Sequence, residues 1–171
     1  QSLIESGKLV GTRGSYRLVA PIDKLEVPGT VHAVLAARID RLPEREKQVL
    51  QTAAVIGKTF PEPVLKAVVG TPRAGLSDAA LAEALHALKS AEFIYEQALY
   101  PVAEYVFKHP LTQEVAYGSQ LQDRRGQVHA AVARAIEAAH ADKLDEQAAL
   151  LAHHWEEAGE RLIAARWHRR A

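Results

Sequence analysis

Apolar positions along the chain recur mostly at helical spacing. Val31, Val34, Leu35, Ile39 and Leu42, with Arg38 among them, fall at i, i+3, i+4 intervals and predict a helix from an N-cap at Thr30 to a boundary at Pro43. Pro43 then serves as the first residue of a second helix, with Glu44 and Glu46 favouring its N-terminal dipole. Val49, Leu50, Ala53, Ala54 and Ile56 form its buried stripe, and Gly57 ends it. A short third helix is expected over Glu62–Val69. A fourth runs from an N-cap at Ser77 to about Ala91, on a ridge of Leu81, Leu85 and Leu88. Strand character is confined to short runs. Lys8–Val10 and Tyr16–Val19 flank the turn residues Gly11–Ser15, while Phe93–Tyr95 and Ala103–Phe107 flank Tyr100-Pro101. Gln1–Ser6 reads as the tail of a helix stopped by Gly7.

From His109 onward the pattern is helical again, with helices expected over about Pro110–Leu121, Arg124–Ala141, Asp145–Ala158 and Glu160–Ala171. The last two form an antiparallel pair turning at Gly159. Small Ala148, Ala149, Ala152, Ala158, Ala164 and Ala165 and bulky Leu151, Trp155, Leu162 and Trp167 suit close helix packing. The expected fold is therefore mainly α. Helices followed by a β-hairpin give the order of a winged-helix domain, and the pair after it resembles a tetratricopeptide-type unit. Such repeats need several copies for stability, so the array is expected to continue past Ala171.

Composition narrows the class. Of 171 residues, 48% are hydrophobic and 31 are alanine, while 10 glycines and 8 prolines are too few for a disordered chain. The absence of cysteine removes disulfides, thiolate metal sites and cysteine nucleophiles, and fits a reducing, cytoplasmic setting. No apolar run approaches the length of a membrane span, so no membrane partner is expected. The 21 basic and 21 acidic side chains give no global attraction to nucleic acid. Methionine is absent even at position 1, which points to a piece of a longer protein.

Candidate chemistry is sparse. Gly57-Lys58-Thr59 looks like the end of a phosphate loop, but Thr52 stands where the first glycine belongs, and a helix leads in where a strand is needed. A helix-ending glycine is the better reading. His153 and His154 are neighbours pointing about 100° apart on a helix, so no metal site is expected. There is no Gly-x-Ser-x-Gly elbow, and Glu156-Glu157 reads as solvated surface, leaving no catalytic residue to nominate. The fourth helix, which enters the major groove in DNA-binding winged helices, carries Asp78, Glu83, His86 and a single Lys89. The hairpin adds Glu92, Glu96 and Glu104 against Lys108, so direct nucleic-acid binding is not expected. Arg161, Arg166, Arg169 and Arg170 read as a solvated face that complements the C-terminal helix dipole.

Three stretches carry a resemblance. They are Val27-Pro28-Gly29-Thr30 with Ala36–Pro43, Leu50–Gly57 with Phe60, and Tyr105-Val106-Phe107-Lys108-His109-Pro110-Leu111-Thr112-Gln113-Glu114-Val115-Ala116-Tyr117. Together they resemble the region after the ATPase module in signal-transducing ATPases with numerous domains (STAND-type, AAA-like). Bacterial class III adenylate/guanylate cyclases that carry such an ATPase are the closest look-alikes.

The resemblance implies three parts: residues 1–25 as the end of an ATPase helical lid and a hairpin linker, 26–108 as the winged helix, and 109–171 as the start of the repeats. It also implies that ATP or ADP and Mg belong to the parent protein and not to this piece, which lacks the Walker motifs and the cyclase aspartates. In related ATPases a histidine at the end of the winged helix contacts the ADP β-phosphate. His109 occupies the similar place, with Pro110 where the family has aspartate. An imidazole can donate a hydrogen bond to phosphate, and a helix start favours anions. The implied role is a non-catalytic regulatory piece that couples the ATPase's nucleotide state to partner sensing by the repeats. Its partners would be the ATPase and cyclase modules of the same chain and a protein bound by the repeats. A fragment of a large ATPase-type transcriptional regulator, or a protein-binding scaffold, are the alternatives.

Overall fold

The computed structural model describes residues 9–12, 15–18 and 29–171. The expected helix at Gln1–Ser6, the stop at Gly7, and Pro21 and Pro28 lie outside the described residues. The chain divides into two compact units, Gln1–Val31 and His32–Ala171. In the first, β1 (Leu9–Thr12) and β2 (Ser15–Leu18) pair antiparallel, with Leu9 opposite Leu18 and Thr12 opposite Ser15.

The rest of the described chain is mainly helical, with a small three-stranded antiparallel sheet. Helix α1 spans Gly29–Asp40 and α2 spans Glu44–Ile56. Thr30 lies inside α1 and does not cap it. Only Ile39 of the α1 stripe is fully buried, and Val31 and Val34 are exposed, so the apolar spacing there overstated the buried face. Pro43 is the N-cap of α2, whose Val49, Leu50, Ala53 and Ala54 are buried as the periodicity requires. Gly57 ends α2 at φ 153°, a conformation suited to glycine, and its N–H reaches the Ala53 carbonyl.

Strand β3 (Thr59–Pro61) follows, and its three residues escaped the sequence reading. Next come α3 (Glu62–Val69) and α4 (Asp78–Ser90), the latter capped by Ser77 Oγ, which accepts from the Ala80 N–H at 3.2 Å. Strands β4 (Ile94–Ala98) and β5 (Glu104–Phe107) form the expected hairpin. β5 lies in the middle of the sheet, with β3 on its other edge.

The chain then enters α5 (Pro110–Gly118), α6 (Gln122–Ala139), α7 (Ala148–Glu157) and α8 (Arg161–His168). Two apolar clusters hold the His32–Ala171 unit together. One gathers Leu50, Leu65, Leu81, Leu85, Leu88, Ile94 and Phe107 around Phe60, whose ring stacks on Tyr105 and meets the edge of Phe107. The other joins Val64 and Val68 of α3 to Val132 and Ile136 of α6, Leu151 and Trp155 of α7, and Trp167 of α8. Leu162, expected in the α7–α8 contact, is instead 82% exposed, and Ala149 and Ala165 also face solvent. The contact relies on Ala148, Ala152 and Ala164 with the two indoles. Among the described residues no helix is long and apolar enough to cross a membrane.

Candidate functional site

β5 delivers His109 to the surface. Phe107 is buried against Phe60, and the Lys108 N–H bonds the Phe93 carbonyl at 3.0 Å, so this end of the strand is held on two sides. The chain then leaves the sheet. His109 takes an extended conformation as the N-cap of α5, Pro110 occupies the first helical turn, and the Thr112 N–H returns to the His109 carbonyl. Proline is tolerated there because its missing N–H would have no helical partner. The imidazole is exposed and makes no hydrogen bond to any described residue.

Lys108 pairs with Glu92 at 2.8 Å, and Lys58 is drawn to the same strand end because its carbonyl accepts from the Phe107 N–H. The Lys108 ammonium, which bonds Glu92 and attracts it electrostatically, holds that carboxyl below its usual pKa, with Arg38 and His109 adding to the effect. The first turn of α5 carries no acidic side chain. The arrangement leaves an exposed imidazole at a helix start, beside the Lys108–Glu92 pair, and the imidazole with the first-turn N–H groups can donate to an oxyanion.

The exposed face of α4 offers a poor surface for a polyanion. Asp78 and Glu83 are exposed there, and their ion pairs run to Lys66 and Arg45 on other helices. Lys89 is engaged by Glu96. The loop of the β4–β5 hairpin presents Leu99, Tyr100 and Val102 to solvent and contains no cation.

A polar network that the sequence reading missed lies where α5, α6 and α7 meet. His129 Nδ1 faces His154 Nδ1 at 2.8 Å, and His129 Nε2 lies 2.9 Å from the Tyr117 hydroxyl. Both histidines are 1% exposed, whereas His153 is exposed. A neutral pair can make the 2.8 Å contact only if one Nδ1 carries a proton and the other does not.

His154 Nε2 has no partner. An orphaned buried acceptor is tolerated better than an orphaned N–H, so the proton of His154 belongs on Nδ1. It then donates to His129 Nδ1, His129 Nε2–H donates to Tyr117, and the Tyr117 hydroxyl is left to donate to Glu157 Oε2 at 3.4 Å. Burial, then the neighbouring His154, His153 and Arg125 charges, pushes His129 down to about 3. Burial and His153 push His154 down to about 4.

One sequence signal for this network existed. His129 shares the buried ridge Val132, Ala133, Ile136 at positions i, i+3, i+4 and i+7, a place normally held by an apolar side chain. Among the described residues no group of three or more metal-ligating side chains is placed to hold an ion. Comparison with protein-family models, with curated proteins and with solved structures returns no match to this chain.

Proposed function

We propose that the chain is a non-catalytic regulatory module of a larger cytoplasmic signalling ATPase that carries a class III nucleotide cyclase. In this reading α2, β3, α3, α4, β4 and β5 make up a winged helix within residues 26–108. The helices from 109 to 171 begin a tetratricopeptide-like array that receives a protein partner. Residues 1–25 would then close the ATPase lid and link it to the winged helix. ATP or ADP with Mg would bind the ATPase module of the parent, and His109 would reach the ADP phosphate from the winged helix. Exchange of ADP for ATP would release the winged helix, a switch that requires the two states to differ in nucleotide affinity.

The observation that supports this most is the strand order β3-β5-β4 on the α2-β3-α3-α4-β4-β5 succession, leading straight into an exposed, unpartnered His109 at a helix start. The acidic exposed face of α4 favours this reading over a DNA-linked regulator. The test is ADP retention by the full-length parent with and without His109→Ala. Weaker retention in the variant is expected, and unchanged retention removes the role given to His109.

A further inference from the structure

We propose that the cavity between α2, the α3–α4 loop and the start of α6 binds a small organic anion, with a carboxylate or phosphate head on an apolar body. The proposal is independent of the nucleotide contact assigned to His109. The cavity holds about 700 Å³, within the usual range for small-molecule sites. Val68 of α3 and Val128 of α6 give it apolar lining.

Its walls are tied in place. Gln48 Nε2 donates to the Ala74 carbonyl at 3.3 Å and fixes the α3–α4 loop against α2. Gln120 Nε2 donates to the Gln51 carbonyl at 3.1 Å, and Gln51 Nε2 to Ser119 Oγ at 3.0 Å, which fixes the start of α6 against α2. The space therefore exists before any ligand arrives.

Three features specify an anion. Thr52 is 6% exposed yet lines the cavity, and its hydroxyl makes no hydrogen bond to any described residue. Thr52 therefore places a hydroxyl-bearing side chain on the cavity wall. Arg73 and Arg124 both line the cavity and form no ion pair among the described residues, and a guanidinium fork matches a carboxylate or phosphate in two bonds. Asp123 shares the rim, so these three charges leave one net positive. The first turn of α6 lines the mouth, and its N-cap, Leu121, has no side-chain oxygen to satisfy the free N–H groups there. The adjoining cavity shares Arg73 and Asp123 and adds Arg134, Glu157 and Glu160, so its two cations face three carboxylates, which disfavours an anion at that end.

The probes are phenyl phosphate and phenylacetate, with phenol as the uncharged control, followed by NMR on the isotope-labelled chain. Either anion is expected to shift the methyl resonances of Val68 and Val128, and the stronger of the two identifies the preferred head group. Arg73→Gln with Arg124→Gln should weaken that anion's binding at least about tenfold, since each substitution removes charge-assisted hydrogen bonds from surface positions. Thr52→Val should weaken it severalfold, with unchanged thermal unfolding of the free protein as the check on folding. Equal affinity of phenol and the anions, equal affinity of wild type and the double variant, or shifts confined to other parts of the chain would overturn the proposal.

Discussion

His129 and His154 meet Nδ1 to Nδ1 across the α6–α7 contact at 2.8 Å, and that bond is lost once both rings are protonated, because each Nδ1 then carries a proton. The groups facing the pair are Tyr117 on α5, Arg125 on α6, and His153 and Glu157 on α7. None of them places a carboxylate directly on the two facing nitrogens.

Acid should therefore destabilise the fold well before the carboxylates titrate. An unfolded histidine takes up a proton near pH 6.5, whereas the folded pair holds out to about 3 and about 4. Stability is then fully present above pH 6.5 and is lost as the pH falls towards the folded values. Between pH 7 and pH 5 the pair should cost about 2–4 kcal/mol. Urea midpoints at the two pH values measure this. The same midpoint at both would show that the pair is not buried in its neutral form.

Removing the Tyr117 hydroxyl leaves the His129 Nε2–H without an acceptor. Tyr117→Phe should cost about 1–3 kcal/mol, the range for an unsatisfied buried donor. The loss should diminish when His129→Leu is already present, because the orphaned donor has then gone too. A double-mutant cycle by urea unfolding would expose additive losses, which would rule out the coupling.

Phe60 is fully buried on the shortest strand, between the rings of Tyr105 and Phe107. Phe60→Ala should cost about 3–5 kcal/mol, from lost burial and the cavity left behind. Chemical denaturation would check it. A loss below about 1 kcal/mol would mean that β3 is not anchored through this ring.

Gly159 joins α7 to α8 at φ 83°, with open space where a Cβ would stand. Gly159→Ala should cost about 1 kcal/mol through backbone strain alone. Gly118, at the end of α5 and also free of neighbours, lacks the positive φ. Gly118→Ala should be neutral or stabilising by up to about 1 kcal/mol. Thermal shifts of the same sign for both variants would contradict the assigned backbone conformations.

What the sequence made legible was punctuation. Pro43, Gly57, Ser77, Pro110 and Gly159 each act within a turn of the chain, so helix limits could be placed from neighbours alone. β3 could not, because Thr59–Pro61 becomes a strand only by pairing with Glu104–Val106, more than forty positions away. The histidine pair was hidden for the same reason. Its members are separated by 25 residues, and adjacency drew attention to His153, whose ring is exposed, instead of to His129. Val34 and Leu162 sit at apolar spacing yet face solvent, because spacing identifies an apolar face without identifying what lies opposite it. His109 was placed at a helix start by Pro110, a local signal, whereas the cavity beside Thr52 needs α2, α3 and α6 assembled before it exists.

Ile56 and Tyr117 border both apolar clusters of the His32–Ala171 unit. Helix α3 likewise gives Leu65 and Val69 to one cluster and Val64 and Val68 to the other. Neither cluster can come apart without stripping the second of side chains it needs. Heating should therefore melt this unit in a single transition, and a protease cut near His109 should release no half that survives by itself.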